Sequence, residues 1–186
     1  MNTRTRVLTG TALALALGAG TFGAVSASAS AAPAAAPAAA SAKKDGDKND
    51  KNFTTTTHLT IDAASRAAQA ALEAAQKENQ KVTVAVVDRN GNTIVTLRGD
   101  GAGPQSYESA QRKAFTAVSW NAPTSVLAGR LAQAPNLKDI PGTLFLGGAV
   151  PVQADGAPVA GIGVAGAPSG DLDEKFAKAG ADALAK

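Results

Sequence analysis

Val82-Thr83-Val84-Ala85-Val86-Val87-Asp88 is a nearly unbroken β-branched run, and it is followed at once by Arg89-Asn90-Gly91. The run has the character of a buried strand, and Asn-Gly between such runs is the strongest short hairpin signal in the chain. Thr93 to Leu97 then returns as the antiparallel partner. Strands adjacent in sequence are thereby paired in space. Any fold for this chain has to be assembled around that hairpin.

The flanking segments have the period of helices. Ile61 to Asn79 places apolar or alanine residues three and four apart, with Asp62 in the first turn, as in an amphipathic helix. Ser106 to Trp120 reads as a second helix, with Tyr107 and Phe115 expected in the core, and a shorter helix follows Pro123 and ends before Pro135. The last third changes character. Thr143 to Leu146, Ala149 to Ala154 and Pro158 to Gly166, punctuated by Gly147-Gly148 and Asp155-Gly156, read as two or three short strands. Asp171 to Lys186 closes the chain as an alanine-rich helix. This order gives an α+β class with a mainly antiparallel sheet covered by helices, and it excludes a doubly wound nucleotide fold.

Ahead of the domain lies a leader of different composition. Residues 1–29 follow the order of a cleavable signal peptide: Arg4 and Arg6, an apolar run from Val7 to Val25, then Ala27-Ser28-Ala29 as the cleavage site. The apolar run is diluted by Gly18, Gly20 and Gly23 and lacks a stop-transfer flank, so no retained membrane insertion is expected. Residues 30–57 are Ala/Pro-rich and then Lys/Asp-rich, a composition that cannot bury enough apolar surface to offset its ordering entropy. They read as a disordered spacer, with contact to cell wall or membrane as its alternative role. The expectation is a protein secreted to the extracellular side, with one domain over residues 58–186.

Composition narrows the chemistry. The chain contains no cysteine, which excludes disulfides, thiolate haem ligation, iron–sulfur clusters and cysteine zinc sites. A small domain without disulfides must draw stability from packing, subunit contacts or ligand. The net charge is only +3 and aromatic residues are 4% of the chain, which gives no support to nucleic-acid binding.

Four ordered landmarks carry a family resemblance. They are Val84-Ala85-Val86-Val87-Asp88-Arg89-Asn90-Gly91, Ser109-Ala110-Gln111-Arg112-Lys113-Ala114-Phe115-Thr116-Ala117, Gly147-Gly148-Ala149-Val150-Pro151 and Gly161-Ile162-Gly163-Val164-Ala165-Gly166. In this order they resemble the GlcG/HbpS-type domain family. The resemblance implies a profilin-like fold with a five-stranded sheet, assembly as an octamer, and binding of haem and of free iron. It also implies slow oxidative haem degradation and communication with a membrane sensor histidine kinase. The family includes cytoplasmic members without an established haem role, so a structural or small-metabolite-binding oligomer stays open beside the haem readings.

Against that resemblance, individual residues acquire candidate roles. His58 is the only histidine, and imidazole is the usual axial ligand of haem iron and a common ligand of other metals. Its bland alternative is a solvated residue ahead of a helix. Thr143, beside Gly142 and Leu144-Phe145-Leu146, is the first-ranked haem contact, against a plain strand start. Glu108 and Arg112 stand four apart on one helix face: either an ion pair, or an iron ligand (Glu108) with Arg112 and Lys113 meeting haem propionates or the kinase. Asp88 and Asp100 are expected to serve turns. The spacing Gly161-x-Gly163-x-x-Gly166 matches a dinucleotide-binding loop, but it lies inside a late strand with no βαβ unit after it, and is discounted.

Overall fold

The computed structural model describes residues 52–185, all within the compact unit Asp50–Lys186; the expected signal peptide, residues 1–29, and most of the expected spacer, residues 30–57, lie outside the described residues. Helix α1, Ile61–Lys77, begins where the Thr60 hydroxyl accepts the Ala63 N–H at 3.2 Å, which satisfies one of the free donors of the first turn. Its inner stripe is Ala64, Ala67, Ala68, Ala71, Leu72 and Ala75. Asn79 takes a left-handed φ of 57° and ends the helix.

Strands β1, Thr83–Asp88, and β2, Thr93–Arg98, form the expected hairpin. Asp88 fastens its turn, accepting N–H bonds from Asn90 and Asn92 at 2.8 Å each, while Gly91 supplies the left-handed φ of 88°. Burial alone would raise the Asp88 pKa, but the bonds from Asn92 and Asn90, with the nearby charge of His58, hold it below the ordinary carboxylate range. Strands β3, Ala149–Ala154, and β4, Ala157–Ala165, make a second hairpin whose two-residue turn, Asp155 and Gly156, has φ of 50° and 77°. That is the mirror-image turn that suits strand twist. The sheet order is β2-β1-β4-β3 and every pairing is antiparallel.

The resemblance implied five strands, whereas the sheet of the described residues has four. Thr143 to Leu146 does not pair with any strand. Gly142 has a φ of 80°, the Leu144 N–H is taken by the Thr116 hydroxyl at 2.7 Å, and Leu146 bonds back to Leu144. The N–H and carbonyl groups of Thr143 and Leu144 are taken by α2 side chains and by the loop itself, and no ladder forms.

Helices cover both faces. Helix α4, Gly170–Asp182, joins α1 on one face, where Phe176 and Ala177 meet Val84, Val86, Ile162 and Val164. Helix α2, Pro104–Trp120, lies on the other, against Ala85 and Val87 through Ala110, Ala114 and Val118. Alternate side chains of β1 therefore feed opposite layers, which explains its unbroken apolar run. Gly161 and Gly163 explain how closely α2 approaches. A Cβ on either would land on a backbone carbonyl of α2, that of Ala114 or Ala110 respectively. The glycine spacing is a seat for a helix, not a phosphate loop. Tyr107, expected in the core, is 47% exposed. It lies off the stripe Ser106, Ala110, Lys113 and Ala117 that α2 turns inward. Helix α3, Thr124–Gly129, and two short 3-10 turns, Arg130–Ala132 and Pro135–Asp139, lead into the loop that crosses α2. No helix of the described residues is long and apolar enough to cross a membrane.

Candidate functional site

Two side chains of α2 hold the segment from Ile140 to Gly148. Arg112 Nη2 donates to the Thr143 carbonyl at 2.8 Å, and Thr116 Oγ1, one turn on, accepts the Leu144 N–H at 2.7 Å. Thr143 itself is buried, and its hydroxyl donates to the Ile140 carbonyl at 2.8 Å. Phe145 is buried edge-on to Trp120, ring centroids 5.1 Å apart. Ile140 and Leu146 remain exposed at 40% and 53%. The loop thus presents apolar side chains at its surface and keeps its polar atoms engaged.

Beside it a cleft of ≈ 290 Å³ is lined by Val87, Gly91, Thr93, Gln111, Arg112, Phe115 and Gly142. Gly91 and Gly142 both approach the Phe115 ring; a Cβ on Gly91 would come within 2.8 Å of it. One wall is consequently bare backbone and an aromatic edge. The other is the Arg112 guanidinium, 41% exposed and 3.5 Å from the Glu108 carboxylate, which is itself 75% exposed. That ion pair is weak in solvent, so the guanidinium donors that the Thr143 carbonyl does not take can meet an outside anion. Chemically, the cleft offers one cation next to a flat apolar surface.

The remaining expected residues are distributed differently. Lys113 turns to the other side of α2, where its ammonium is buried, 2.8 Å from Asp173 Oδ2 and 3.1 Å from the Val164 carbonyl. Burial pushes the Asp173 carboxyl above its ordinary value, although the Lys113 ammonium and the Ala167 N–H pull it down. His58 is exposed, bonds the Thr56 hydroxyl at 2.8 Å, and lies near Asp88 at the hairpin turn. Among the described residues there is no cluster of three or more His, Asp or Glu side chains that would enclose a metal ion. Arg112 and Thr143 are therefore joined by a direct bond, Glu108 flanks them, and Lys113 and His58 stand apart.

Three contributors escaped the sequence reading. Thr116 looks like any polar helix residue, Asp173 like an ordinary first-turn acid, and Glu174 like a solvated charge. Glu174 instead accepts from the Ser125 N–H at 3.0 Å, the Ser125 hydroxyl at 2.6 Å and the Gly148 N–H at 3.4 Å, tying α4 to α3 and to the loop's end. Only the clustering of small and hydroxyl residues around these positions hinted at close packing.

The fold is an antiparallel sheet between helices, with a cationic and apolar cleft beside a helix-clamped loop. The family model described as "Haem degrading protein HbpS-like" matches residues 59–182, and the chain belongs to that haem-associated family. Among solved structures it is similar to HbpS, with 77% identity, a TM-score of 0.71, and coverage of 71% of this chain and 94% of that one. A double Glu→Asp variant of the Streptomyces reticuli HbpS is 71% identical with a TM-score of 0.72, covering 82% and 99% of the two chains. A PduOC:heme complex is 27% identical, with a TM-score of 0.63 and coverage of 68% and 95%.

Proposed function

We propose that this protein is an extracellular haem- and iron-binding accessory protein, working in redox or haem sensing with a membrane sensor histidine kinase. The observation that carries the haem reading is the pairing of a half-exposed Arg112 with an apolar, glycine-walled cleft, in a chain whose family model is HbpS-like. The residues fit one edge of a haem. Arg112 would meet a propionate by charge-assisted hydrogen bonding, while Phe115, Gly142 and the exposed Ile140 would lie against the macrocycle. Haem iron supplies the redox chemistry when bound. The chain's own residues bind, orient and exclude water. Thr143 is proposed as the nearest hydroxyl, released from Ile140 by a small movement of the loop, and Glu108 as an oxygen ligand for iron. His58 contributes from the hairpin side as an outlying ligand. A cleft this shallow covers only part of a macrocycle, which supports a homo-oligomer, the resemblance suggesting eight copies, in which a second copy covers the rest. The kinase partner rests on the resemblance.

The test is a haemin titration of the purified chain followed at the Soret band. The reading expects a saturable shift that Arg112→Ala weakens several-fold; no shift at stoichiometric haemin refutes it. A second reading, oxidative haem degradation, is favoured by the family's description. With dioxygen as the oxidant and ascorbate as the electron donor, the loaded protein would lose its Soret band and release iron if that reading holds, and keep the band if haem is only a bound signal.

A further inference from the structure

A second cleft, of ≈ 340 Å³, opens on the other side of the loop, between α2 and the segment Gly166 to Gly170 that leads into α4. Its lining includes Lys113 and Asp173, which the haem reading does not use. Both are buried, the ammonium and carboxylate 2.8 Å apart. An ammonium carries three donors. Two are engaged, by Asp173 and by the Val164 carbonyl, which leaves one donor for a group in the cleft that Lys113 lines. The cleft is the space from which an acceptor can arrive.

The polar groups in this cleft determine what the acceptor is. Ser106 is fully used, bonded to Thr83 and to the Gly103 carbonyl. The side chains of Gln105 and Ser109 make no hydrogen bond among the described residues, and each can both donate and accept. The one cation and one anion of the lining cancel. A carboxylate ligand could take the Lys113 proton but would face Asp173, and Asp171 and Asp173 already occupy the first turn of α4. An ammonium ligand would face Lys113. A hydroxyl group suits both partners, accepting from Lys113 while donating to Asp173. Leu146, Ala165 and Pro168 supply an apolar side for carbon atoms.

We infer that this cleft binds a small uncharged polyol or hydroxycarbonyl compound, with one hydroxyl bridging Lys113 and Asp173 and others reaching Ser109 and Gln105. The site is separate from the Arg112 cleft. Gly148, at the end of the loop, abuts this site: a Cβ there would come within 2.6 Å of Lys113 Nζ.

The test is an amide-resolved NMR titration of the full ¹⁵N-labelled chain with glycerol, with erythritol, and with lactate as an anion of similar size. Saturable shifts confined to Ser109, Ala167, Ser169 and Gly170 are expected with the polyols, and at least tenfold weaker binding of lactate. Ser109→Leu, at a half-buried rim position, should weaken polyol binding at least tenfold while leaving the haemin titration unchanged. Shifts that never saturate or spread over the surface would overturn the inference. So would lactate binding as tightly as the polyols, or polyol affinity unaffected by Ser109→Leu. Loss of haem binding with intact polyol shifts would count against the haem reading alone.

Discussion

Replacing Gly163 by alanine tests how the sheet receives α2. The added Cβ would land on the Ala110 carbonyl, 2.7 Å from the Ala114 N and 3.0 Å from the Ala114 Cβ. All three obstacles belong to the helix backbone or its shortest side chain, so none can swing aside. Helix and strand must separate by on the order of 1 Å, which forfeits about a quarter to a half of the dispersion energy at the contact. Overpacking of a close-packed core costs roughly 1–3 kcal/mol, and an unyielding backbone places this case at the top of that range. Against it stands a gain of about 0.4–1 kcal/mol from restricting the unfolded chain. The net is a loss of about 2 kcal/mol, or a urea midpoint lower by about 1 M for a typical small-domain slope. Urea unfolding followed by far-UV circular dichroism, at one fixed protein concentration, measures it. Gly129→Ala is the matched control, because nothing lies within 4 Å of its added Cβ and its φ of −62° is helical. Its midpoint should rise slightly. A Gly163→Ala midpoint equal to or above that of the parent would refute the glycine seat.

Lys113→Met strands the buried Asp173 carboxylate and should cost about 3–5 kcal/mol, with Lys113→Met/Asp173→Leu recovering much of it; a double variant melting below the single one would contradict this. The Asp88 carboxyl is held below its ordinary pKa, so its stabilising effect is present at neutral pH and lost as pH falls through its folded value. Asp88→Asn should therefore lower the urea midpoint at about pH 7 and converge with the parent near about pH 2, and a gap independent of pH would show that the turn does not depend on the charge. Thr143→Ala should weaken or spectrally alter haemin binding more than His58→Ala. Ordering a ligand that adjoins the chain's N-terminal lead carries an entropy cost that a loop clamped to α2 avoids. The reverse ranking in paired titrations would move the ligand to His58.

The hairpins were legible because their signals are local: Asp155-Gly156 sets its turn by two left-handed residues, Gly91 and the Asp88 carboxylate set the other, and β1 announces its double burial by carrying valine on both faces. The helices were legible to within a few residues for the same reason. The composition of Thr143 to Leu146 suits the third of two or three short strands, but the competing acceptor, the Thr116 hydroxyl, lies 28 residues away in the chain, where local patterns carry no information. Of the site, Arg112 and Glu108 were visible through helical spacing. Lys113 could not be placed, because its direction is set by Asp173, 60 residues further on, and neighbours on one helix differ by about 100° in facing.

Trp120 is the chain's single tryptophan, and its ring meets Phe145 edge-on. The indole is thereby a built-in optical probe of one loop. Near-ultraviolet circular dichroism and intrinsic emission will report how the Ile140–Gly148 segment sits on α2, with no dye, tag or substitution. In the absence of haem, which itself quenches indole emission, a change in the tryptophan bands with far-ultraviolet dichroism unaltered points to a changed Trp120–Phe145 contact on an intact fold. Mixing experiments with ligands that do not absorb in this range could then time the loop's response.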